Sequence, residues 1–263
     1  MGDGEGSDPF TLGGRHALVT GAGQGIGRCI ALTFAEHGAG TIVVNDLFQD
    51  RADAVAAEIR DAGGRAVAVA ADVTDLAAVE AMAEVTRQLD APVQVLVNNA
   101  GLPPGPVQMM PFLETEPAQW EPMLRLNLYG VLQVTRTFAP AMVEAGWGRV
   151  ITMISDASRV GDPFQAVYAA AKAGAAGFSR SLASEIGKRG VTVNCIALAT
   201  VLPGYDPAVG LSDDMQRRFK PYAMRRPGRP EDVAPTALLL ASEAGQWITG
   251  QVYPVNGGYS YAL

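Results

Sequence analysis

Short apolar runs alternate with longer amphipathic or alanine-rich segments along almost the whole chain. The runs predicted as strands cover residues 16–20, 41–46, 66–70, 93–98, 149–154, 191–196 and 252–255. The predicted helices cover residues 25–37, 51–62, 76–89, 117–144, 165–188 and 230–242. Regular strand–helix alternation produces parallel strands joined by right-handed crossovers. The sequence therefore predicts one doubly wound α/β domain, with a seven-stranded parallel sheet flanked by helices.

The amino terminus and one internal segment depart from this rhythm. The first residues, Met1 to Pro9, are rich in glycine and aspartate, so residues 1–12 are predicted to be a disordered lead-in to a single domain over residues 13–263. Residues 200–229 lie between a strand and a helix and are rich in proline, glycine and charge. Because so long a loop in a compact domain is commonly functional, and because it follows the carboxyl end of a strand, we expect a substrate lid there.

Charge and the scarcity of metal-binding side chains argue against several classes of function. The 263-residue chain carries a net charge of −7, which argues against a nucleic-acid partner or an anionic membrane surface. No apolar run reaches the roughly 18 residues that a membrane span needs. The two histidines form no metal-binding pattern, and Cys29 and Cys195 lack a C-x-x-C arrangement. We therefore expect no metal site and a reduced, cytoplasmic protein.

A glycine-rich segment joins the first predicted strand to the first predicted helix. Residues 20–27 read Thr-Gly-Ala-Gly-Gln-Gly-Ile-Gly, and an acid stands 19 residues beyond Gly27. Glycines at such a turn let the backbone approach a pyrophosphate, and the helix N-terminus offers amide donors and a favourable dipole. A turn that only needs unusual dihedral angles is the plainer alternative. The context predicts a Rossmann-type dinucleotide site that includes Gly21, Gln24, Gly25, Ile26 and Gly27.

The acid at the end of the second strand, Asp46, indicates which dinucleotide is bound. A carboxylate at this place can accept hydrogen bonds from the adenosine ribose and would repel a 2′-phosphate. Residues 21–27 contain no Arg or Lys and Leu47 follows Asp46, so we expect no local cation for that phosphate, and NAD(H) is predicted over NADP(H). Asp72 and Val73, after the third strand, are placed to contact the adenine, although helix capping is an alternative role for this segment.

Tyr168 and Lys172 form a Y-x-x-x-K pair in an apolar, alanine-rich run. Four residues on a helix rotate by about 400°, so both side chains leave the same face. An ammonium ~4 Å from a phenol would lower the phenol pKa by roughly three units, which makes tyrosine a usable acid or base near neutral pH. A packing tyrosine beside a solvated lysine is the alternative interpretation when the pair is taken alone.

Several separated motifs occur together in one known family. They are residues 20–27, Asn98-Asn99-Ala100-Gly101, Asn127, Ser155 and the Tyr168-x-x-x-Lys172 pair. With these motifs the chain resembles the short-chain dehydrogenase/reductase family, in the branch that includes 3-oxoacyl reductases and hydroxysteroid dehydrogenases. The resemblance extends from residue 14 to residue 258, and includes Arg-Pro-Glu-Asp-Val-Ala at 229–234 and Val-Asn-Gly-Gly at 255–258.

The resemblance implies a role for each matching residue. Tyr168 would exchange a proton with the substrate oxygen, Lys172 would hold the nicotinamide ribose and lower the phenol pKa, and Ser155 would hydrogen-bond the substrate oxygen. Asn127 would anchor a water that relays protons from Lys172 to solvent. Residues Asn99, Ala100 and Gly101 would line the adenosine side. The resemblance thus implies an oxidoreductase that interconverts a secondary alcohol and a ketone, acts on a small molecule and assembles as a homotetramer. Together with the cofactor preference predicted from Asp46, this gives an NAD(H)-dependent enzyme.

The chain departs from the family pattern after the sixth strand. The family usually has a Pro-Gly turn that backs the nicotinamide, whereas this chain has Leu198-Ala199, with Pro203 where a threonine is usual. We expect a different turn geometry, because Leu and Ala adopt positive φ poorly. Thr200 and Val201 are the residues predicted to contact the nicotinamide in place of the usual ones.

Two other functions are compatible with the same residues. An NADP(H)-dependent 3-oxoacyl thioester reductase is suggested by the overall likeness and by a basic lid, and is opposed by Asp46. The basic lid residues are Arg217, Arg218, Lys220, Arg225, Arg226 and Arg229. A non-catalytic dinucleotide-binding regulator is suggested by the missing Pro-Gly turn, and is opposed by the complete set of Asn127, Ser155, Tyr168 and Lys172.

Overall fold

Seven parallel strands form one sheet in the computed structural model, which describes residues 8–103 and 109–261. The strands are β1 His16–Val19, β2 Thr41–Asp46, β3 Arg65–Ala70, β4 Val93–Asn98, β5 Gly148–Ser155, β6 Val191–Leu198 and β7 Val252–Val255. Their order is β3-β2-β1-β4-β5-β6-β7 and every pairing is parallel. The predicted doubly wound α/β fold is confirmed. The strand order reverses beside β1, which places a crevice at the carboxyl ends of β1 and β4.

Helices cover both faces of the sheet. They are α1 Gly25–Glu36, α2 Gln49–Asp61, α3 Leu76–Thr86, α4 Pro117–Leu124, α5 Gly130–Ala145, α6 Ala157–Val160, α7 Ala166–Ile186, α8 Asp213–Arg218 and α9 Pro230–Ala241. Successive residues of β1 belong to different apolar clusters, because side chains alternate between the two faces of a strand. One cluster contains buried residues of α1, α2 and α9, and the other contains buried residues of α3, α5 and α7.

The helix predicted over residues 117–144 is not continuous. A π-helical turn, Arg125–Tyr129, separates α4 from α5. At its centre, the Asn127 side chain donates from Nδ2 to the Met123 carbonyl oxygen, 3.2 Å away, and so enters the helical hydrogen-bond ladder. Periodicity alone cannot show this local widening, because the apolar pattern continues through it. Such turns are frequent at functional sites.

The ordered domain begins before the predicted boundary at residue 13. Residues 1–7 of the predicted lead-in lie outside the described residues, but residues 8–12 pack against the domain. Leu12 is fully buried and its amide donates to the His37 carbonyl oxygen at 2.8 Å. The Pro9 carbonyl oxygen accepts a bond from the Ala244 amide at 3.0 Å. The composition of the segment does not reveal this contact, because it depends on the burial of a single leucine, Leu12. Within the two described ranges, no helix is long and apolar enough to cross a bilayer.

Candidate active site

A cleft of about 1160 Å³ opens at the carboxyl ends of the central strands. It is larger than the roughly 300–1,000 Å³ of typical small-ligand pockets, as a dinucleotide plus a substrate requires. Sixteen of the residues predicted from sequence line it: Gly21, Gln24, Gly25, Ile26, Asp46, Leu47, Asp72, Val73, Asn99, Ala100, Gly101, Ser155, Tyr168, Lys172, Thr200 and Val201. The two other predicted residues, Gly27 and Asn127, are buried and do not line it.

The glycine-rich loop has the backbone that pyrophosphate binding requires. Gly21 and Gly25 have positive φ angles of 62° and 56°. Helix α1 starts at Gly25, and Gln24 at its N-cap makes no side-chain capping bond, so the first-turn amides have no side-chain acceptor there. A Cβ on Gly27 would lie 2.4 Å from the Gly21 carbonyl oxygen, which explains its glycine as close packing of helix on loop. These features fit a bound dinucleotide phosphate.

Asn99 supports this loop from the neighbouring strand end. Its Nδ2 donates to the carbonyl oxygens of Thr20 at 2.8 Å and of Gly21 at 3.0 Å. The Thr20 hydroxyl in turn accepts bonds from the Asn99 and Ala100 amides. The segment after β4 and the glycine-rich loop are therefore held as one unit.

The carboxylate of Asp46 is held at the adenosine end of the cleft. Asp46 is 6% exposed, and its two oxygens accept bonds from the Gly23 amide at 3.0 Å and the Phe48 amide at 3.2 Å. Asp72 also lines the cleft, while capping of α3 is performed by Asp75, whose carboxylate accepts from the Ala77 amide. The capping alternative for Asp72 therefore does not describe its position.

A cation that the sequence analysis missed lies beside Asp46. Arg51 lines the cleft from the first turn of α2, and its guanidinium lies 4.4 Å from the centre of the Phe48 ring. A Cβ on Gly23 would lie 2.6 Å from the Arg51 Cβ and 2.7 Å from an Asp46 oxygen. The expectation that no cation is locally available is therefore wrong. Residues 21–27 and Leu47 contain no Arg or Lys, but the first turn of the next helix lies against the same loop and brings Arg51 there.

Tyr168 and Lys172 occupy successive turns of α7 and both face the cleft. Lys172 is 3% exposed, and its Nζ donates to the Met153 carbonyl oxygen at 2.8 Å. Burial lowers the pKa of Lys172 to about 8. A lysine with this pKa can both hold and release a proton near neutral pH.

The expected effect of Lys172 on the tyrosine is not what the structure gives. Burial raises the pKa of Tyr168, and the opposing influence is a hydrogen bond with Ser155. Lys172 Nζ lies 5.8 Å from the centre of the Tyr168 ring and is bonded to a carbonyl oxygen. The expected lowering of the phenol pKa is therefore not found, because desolvation of the phenol is the dominant influence on it.

Asn127 and Lys172 approach a common point beside Gly101. Asn127 is fully buried, and its Oδ1 has no hydrogen-bond partner among the described residues. A Cβ built on Gly101 would lie 2.9 Å from Lys172 Nζ and 3.0 Å from Asn127 Oδ1. Because Asn127 Oδ1 and Lys172 Nζ both lie within hydrogen-bond distance of this one position, a single water there could bridge the two groups.

At the position of the missing Pro-Gly turn, strand β6 continues two residues beyond its predicted end at residue 196. Strand β6 continues through Leu198, which pairs with Ser155 on β5. Neither Leu198 nor Ala199 has a positive φ, so no strained turn is present at these two positions. Beyond it, the Tyr222 hydroxyl donates to Thr200 Oγ1 at 3.1 Å and accepts from the Thr200 amide at 3.3 Å. Thr200 thus lines the cleft, although the backbone before it lacks the Pro-Gly turn of the family pattern.

None of the six basic lid residues, all within the described ranges, lines this cleft. Arg226 forms a bidentate pair with Asp232 at 2.6 and 2.9 Å, and Arg217 lies 3.4 Å from Asp214. The basic charge of the lid is therefore partly balanced by nearby acids.

Comparison with known proteins gives a consistent set of relatives. The family model described as short chain dehydrogenase matches residues 15–209. A 3-oxoacyl-[acyl-carrier-protein] reductase of Synechocystis is 39% identical over 246 residues, which cover 92% of this chain and 95% of that protein.

Two solved structures share the architecture and contain bound dinucleotides. A 7α-hydroxysteroid dehydrogenase complexed with NADH and 7-oxo glycochenodeoxycholic acid has a TM-score of 0.85 at 34% identity, covering 95% of this chain and 96% of that one. A gluconate 5-dehydrogenase from Burkholderia cenocepacia, in complex with NADP and tartrate, has a TM-score of 0.87 at 32% identity, covering 97% and 99%. The two structures thus differ in both the bound dinucleotide and the second bound molecule.

Proposed function

The chain belongs to the short-chain dehydrogenase/reductase family, and on that premise we propose that it is an NAD(H)-dependent oxidoreductase interconverting a secondary alcohol and a ketone. The observation that carries the proposal is the convergence of Ser155, Tyr168 and Lys172 at one end of a cleft whose other end presents the glycine-rich loop and Asp46. A screen of ketones and secondary alcohols with added NAD(H) tests it.

The dinucleotide would be held along the length of the cleft. The glycine-rich loop and the first turn of α1 would bind the pyrophosphate, Asp46 the adenosine ribose, and Lys172 the nicotinamide ribose. When bound, the cofactor supplies hydride to the carbonyl carbon or accepts it from the alcohol carbon.

The protein's own residues manage the substrate oxygen and its proton. In reduction, the Tyr168 hydroxyl donates its proton to that oxygen while Ser155 donates a hydrogen bond, so negative charge develops between two donors, as in an oxyanion hole. Lys172, with its pKa of about 8, restores the proton to Tyr168 through the buried polar space shared with Asn127 Oδ1. In oxidation the same groups act in the opposite direction.

Alcohol oxidation is expected to accelerate with pH. Tyr168 must be deprotonated to accept the alcohol proton, and burial raises its pKa above the ordinary value. The reactive fraction therefore grows by about tenfold per pH unit below that pKa, while reduction, which needs the protonated phenol, does not gain. Profiles of kcat/KM in both directions, between about pH 7 and about pH 10, measure this. An oxidation profile that is flat across that range would contradict it.

NAD(H) is proposed over NADP(H), since a carboxylate fixed by two backbone amides would oppose a 2′-phosphate more strongly than the exposed Arg51 would attract it. We expect kcat/KM for NAD to exceed that for NADP by about tenfold or more. Asp46→Asn is expected to bring the ratio of kcat/KM for NAD to kcat/KM for NADP closer to one. Arg51→Gln is expected to increase that ratio, because it lowers kcat/KM for NADP and leaves the value for NAD unchanged. Steady-state kinetics with both cofactors provide the measurement.

The control for the cofactor experiment is Arg60→Gln, which removes a guanidinium from the far end of the same helix, where Arg60 bonds the Ala66 carbonyl oxygen. It should leave the ratio unchanged. A wild-type preference for NADP would overturn the cofactor assignment. That result would favour the second candidate, an NADP(H)-dependent 3-oxoacyl thioester reductase, which Arg51 and the name of the 39%-identical relative support.

The assembly and location follow from the family likeness and the thiols. We infer a homotetramer, since the exposed face of α7 carries small residues such as Ala166, Ala170 and Ala173 that would allow close helix packing. A cytoplasmic location is proposed because Cys29 and Cys195 are both free thiols.

A further inference from the structure

A carboxylate that takes no part in the proposed chemistry is buried directly behind Ser155. Asp156 is 1% exposed and does not line the cleft. Its Oδ1 accepts from Arg159 Nη1 at 2.6 Å, and its Oδ2 accepts from Asn256 Nδ2 at 2.6 Å and from Ser260 Oγ at 2.9 Å. A buried charge with this many donors is a fixed point in the structure, because moving it would leave several polar groups unpaired.

Asp156 and Ser155 share an acceptor on the next strand. The Asp156 amide donates to the Leu198 carbonyl oxygen at 2.9 Å, and Ser155 Oγ lies 3.4 Å from the same oxygen. The Ala157 amide donates to Ser155 Oγ at 3.2 Å. The serine hydroxyl is therefore placed by the Leu198 carbonyl oxygen on the neighbouring strand and by the amide of the residue after Asp156.

The partners of Asp156 come mostly from one turn near the carboxyl terminus, residues 256–260, which we name the C-terminal clasp. Within it, the Tyr259 hydroxyl donates a short hydrogen bond to Asp162, six residues before Tyr168. The Tyr259 ring lies 4.9 Å from the ring of Tyr222, which holds Thr200. The clasp thus contacts the segments that carry Ser155 and Tyr168, and reaches Thr200 through one tyrosine.

We propose that Asp156 is a positioning residue, which joins the C-terminal clasp to the turn bearing Ser155 and so sets the distance between the two hydroxyls that hold the substrate oxygen. The inference rests on the proposed function. Misplacing such a group by about 1 Å can cost about 10²-fold in rate. Arg159, whose side chain is 11% exposed, would lose its carboxylate partner if Asp156 were neutralised. Because asparagine has one acceptor oxygen where the carboxylate has two, the turn would then lose its charge balance and either the bond to Arg159 or the bonds to the clasp.

The test is a double-mutant cycle between Asp156→Asn and Ser155→Ala, read in kcat. We expect Asp156→Asn to lower kcat by about 10- to 50-fold in the wild-type background and by less than about threefold in the Ser155→Ala background. The second loss is small because Asp156 acts through Ser155. A merely structural role would lower kcat by the same factor in both backgrounds, and that result would overturn the proposal.

A gentler variant and a matched control accompany the cycle. Ser260→Ala removes one of the donors to Asp156 without leaving Arg159 unpaired, so it keeps the test usable if Asp156→Asn does not fold. It is expected to lower kcat by about threefold, again only when Ser155 is present. Glu84→Gln makes the same carboxylate-to-amide change in an exposed ion pair with Arg87, and should leave kcat unchanged.

Hydrogen exchange separates failure of this inference from failure of the proposed function. In Asp156→Asn, or in Ser260→Ala, amides of residues 155–165 should exchange at least about tenfold faster than in wild type, whether or not a substrate is known. If the enzyme is active and the exchange rates in the variants equal those of the wild type, the proposal that the C-terminal clasp holds this turn is wrong. Faster exchange in a protein that binds NADH but reduces no ketone would show that the clasp exists and that the proposed function, with the positioning role, is wrong.

Discussion

Replacement of Tyr168 by phenylalanine is expected to lower turnover by about 10³-fold while the dissociation constant for NADH changes by less than about threefold. The substitution removes one oxygen atom from a ring that is packed beside Ser155 and one turn before Lys172. The ring keeps its place, but no group remains that can give a proton to the substrate oxygen or take one from it. Turnover and NADH fluorescence titration, measured on the same preparation, provide the test.

The matched control is Tyr253→Phe, which makes the same change in β7, outside the residues that line the cleft. It should retain turnover within about threefold. If Tyr168→Phe kept near-wild-type turnover, the tyrosine would not be the acid or base, and the mechanism given above would be wrong.

Adding one methyl group at Gly101 is expected to have the second-largest effect. In Gly101→Ala the new Cβ would lie 2.9 Å from Lys172 Nζ and 3.0 Å from Asn127 Oδ1. Neither can move freely, because Nζ is bonded to the Met153 carbonyl oxygen and Asn127 to the Met123 carbonyl oxygen. We expect kcat to fall by about 10²-fold, because the relay space is filled and Lys172 is displaced. Stopped-flow or steady-state turnover measures the loss, and circular dichroism shows whether the fold is kept.

The backbone at this position does not itself demand glycine. Gly101 has no positive φ, so the loss would report on the space around Lys172 and not on a strained turn. Gly187→Ala is the matched control, since Gly187 has a φ of −56° and a Cβ there meets no atom within 4 Å. It should leave turnover unchanged. Full activity in Gly101→Ala would mean that protons reach Tyr168 by another route.

Sequence reasoning succeeded where a short local pattern determines the outcome. The runs at 41–46 and 93–98 are strands with those same bounds, and their apolar centres, residues 42–44 and 95–97, are fully buried because helices cover both faces of a parallel sheet. The glycine-rich segment predicted the loop, because its glycines must adopt positive φ or accept close backbone contact. The same local rules brought sixteen predicted residues to one cleft.

It failed where the tertiary fold, and not a local sequence pattern, determines which groups come together. Arg51 reaches the adenosine end because α2 folds back over the loop, and the pKa of Tyr168 depends on burial that no spacing reveals. Strand β6 extends to Leu198, two residues beyond its predicted end, because Leu198 pairs with Ser155 on β5. Asp156 gave no sequence signal, since its donors Asn256 and Ser260 stand one hundred or more residues away.

The most direct measurement of the central claim is NADH oxidation by the wild-type protein and by Tyr168→Phe, side by side, across a panel of ketones and acyl thioesters, with the reverse reaction on secondary alcohols. We predict that the wild type turns over at least one ketone or alcohol, and that Tyr168→Phe binds NADH equally well but does not react. A wild-type protein that binds NADH and reacts with no member of the panel, or a pair of proteins with equal turnover, would contradict the account.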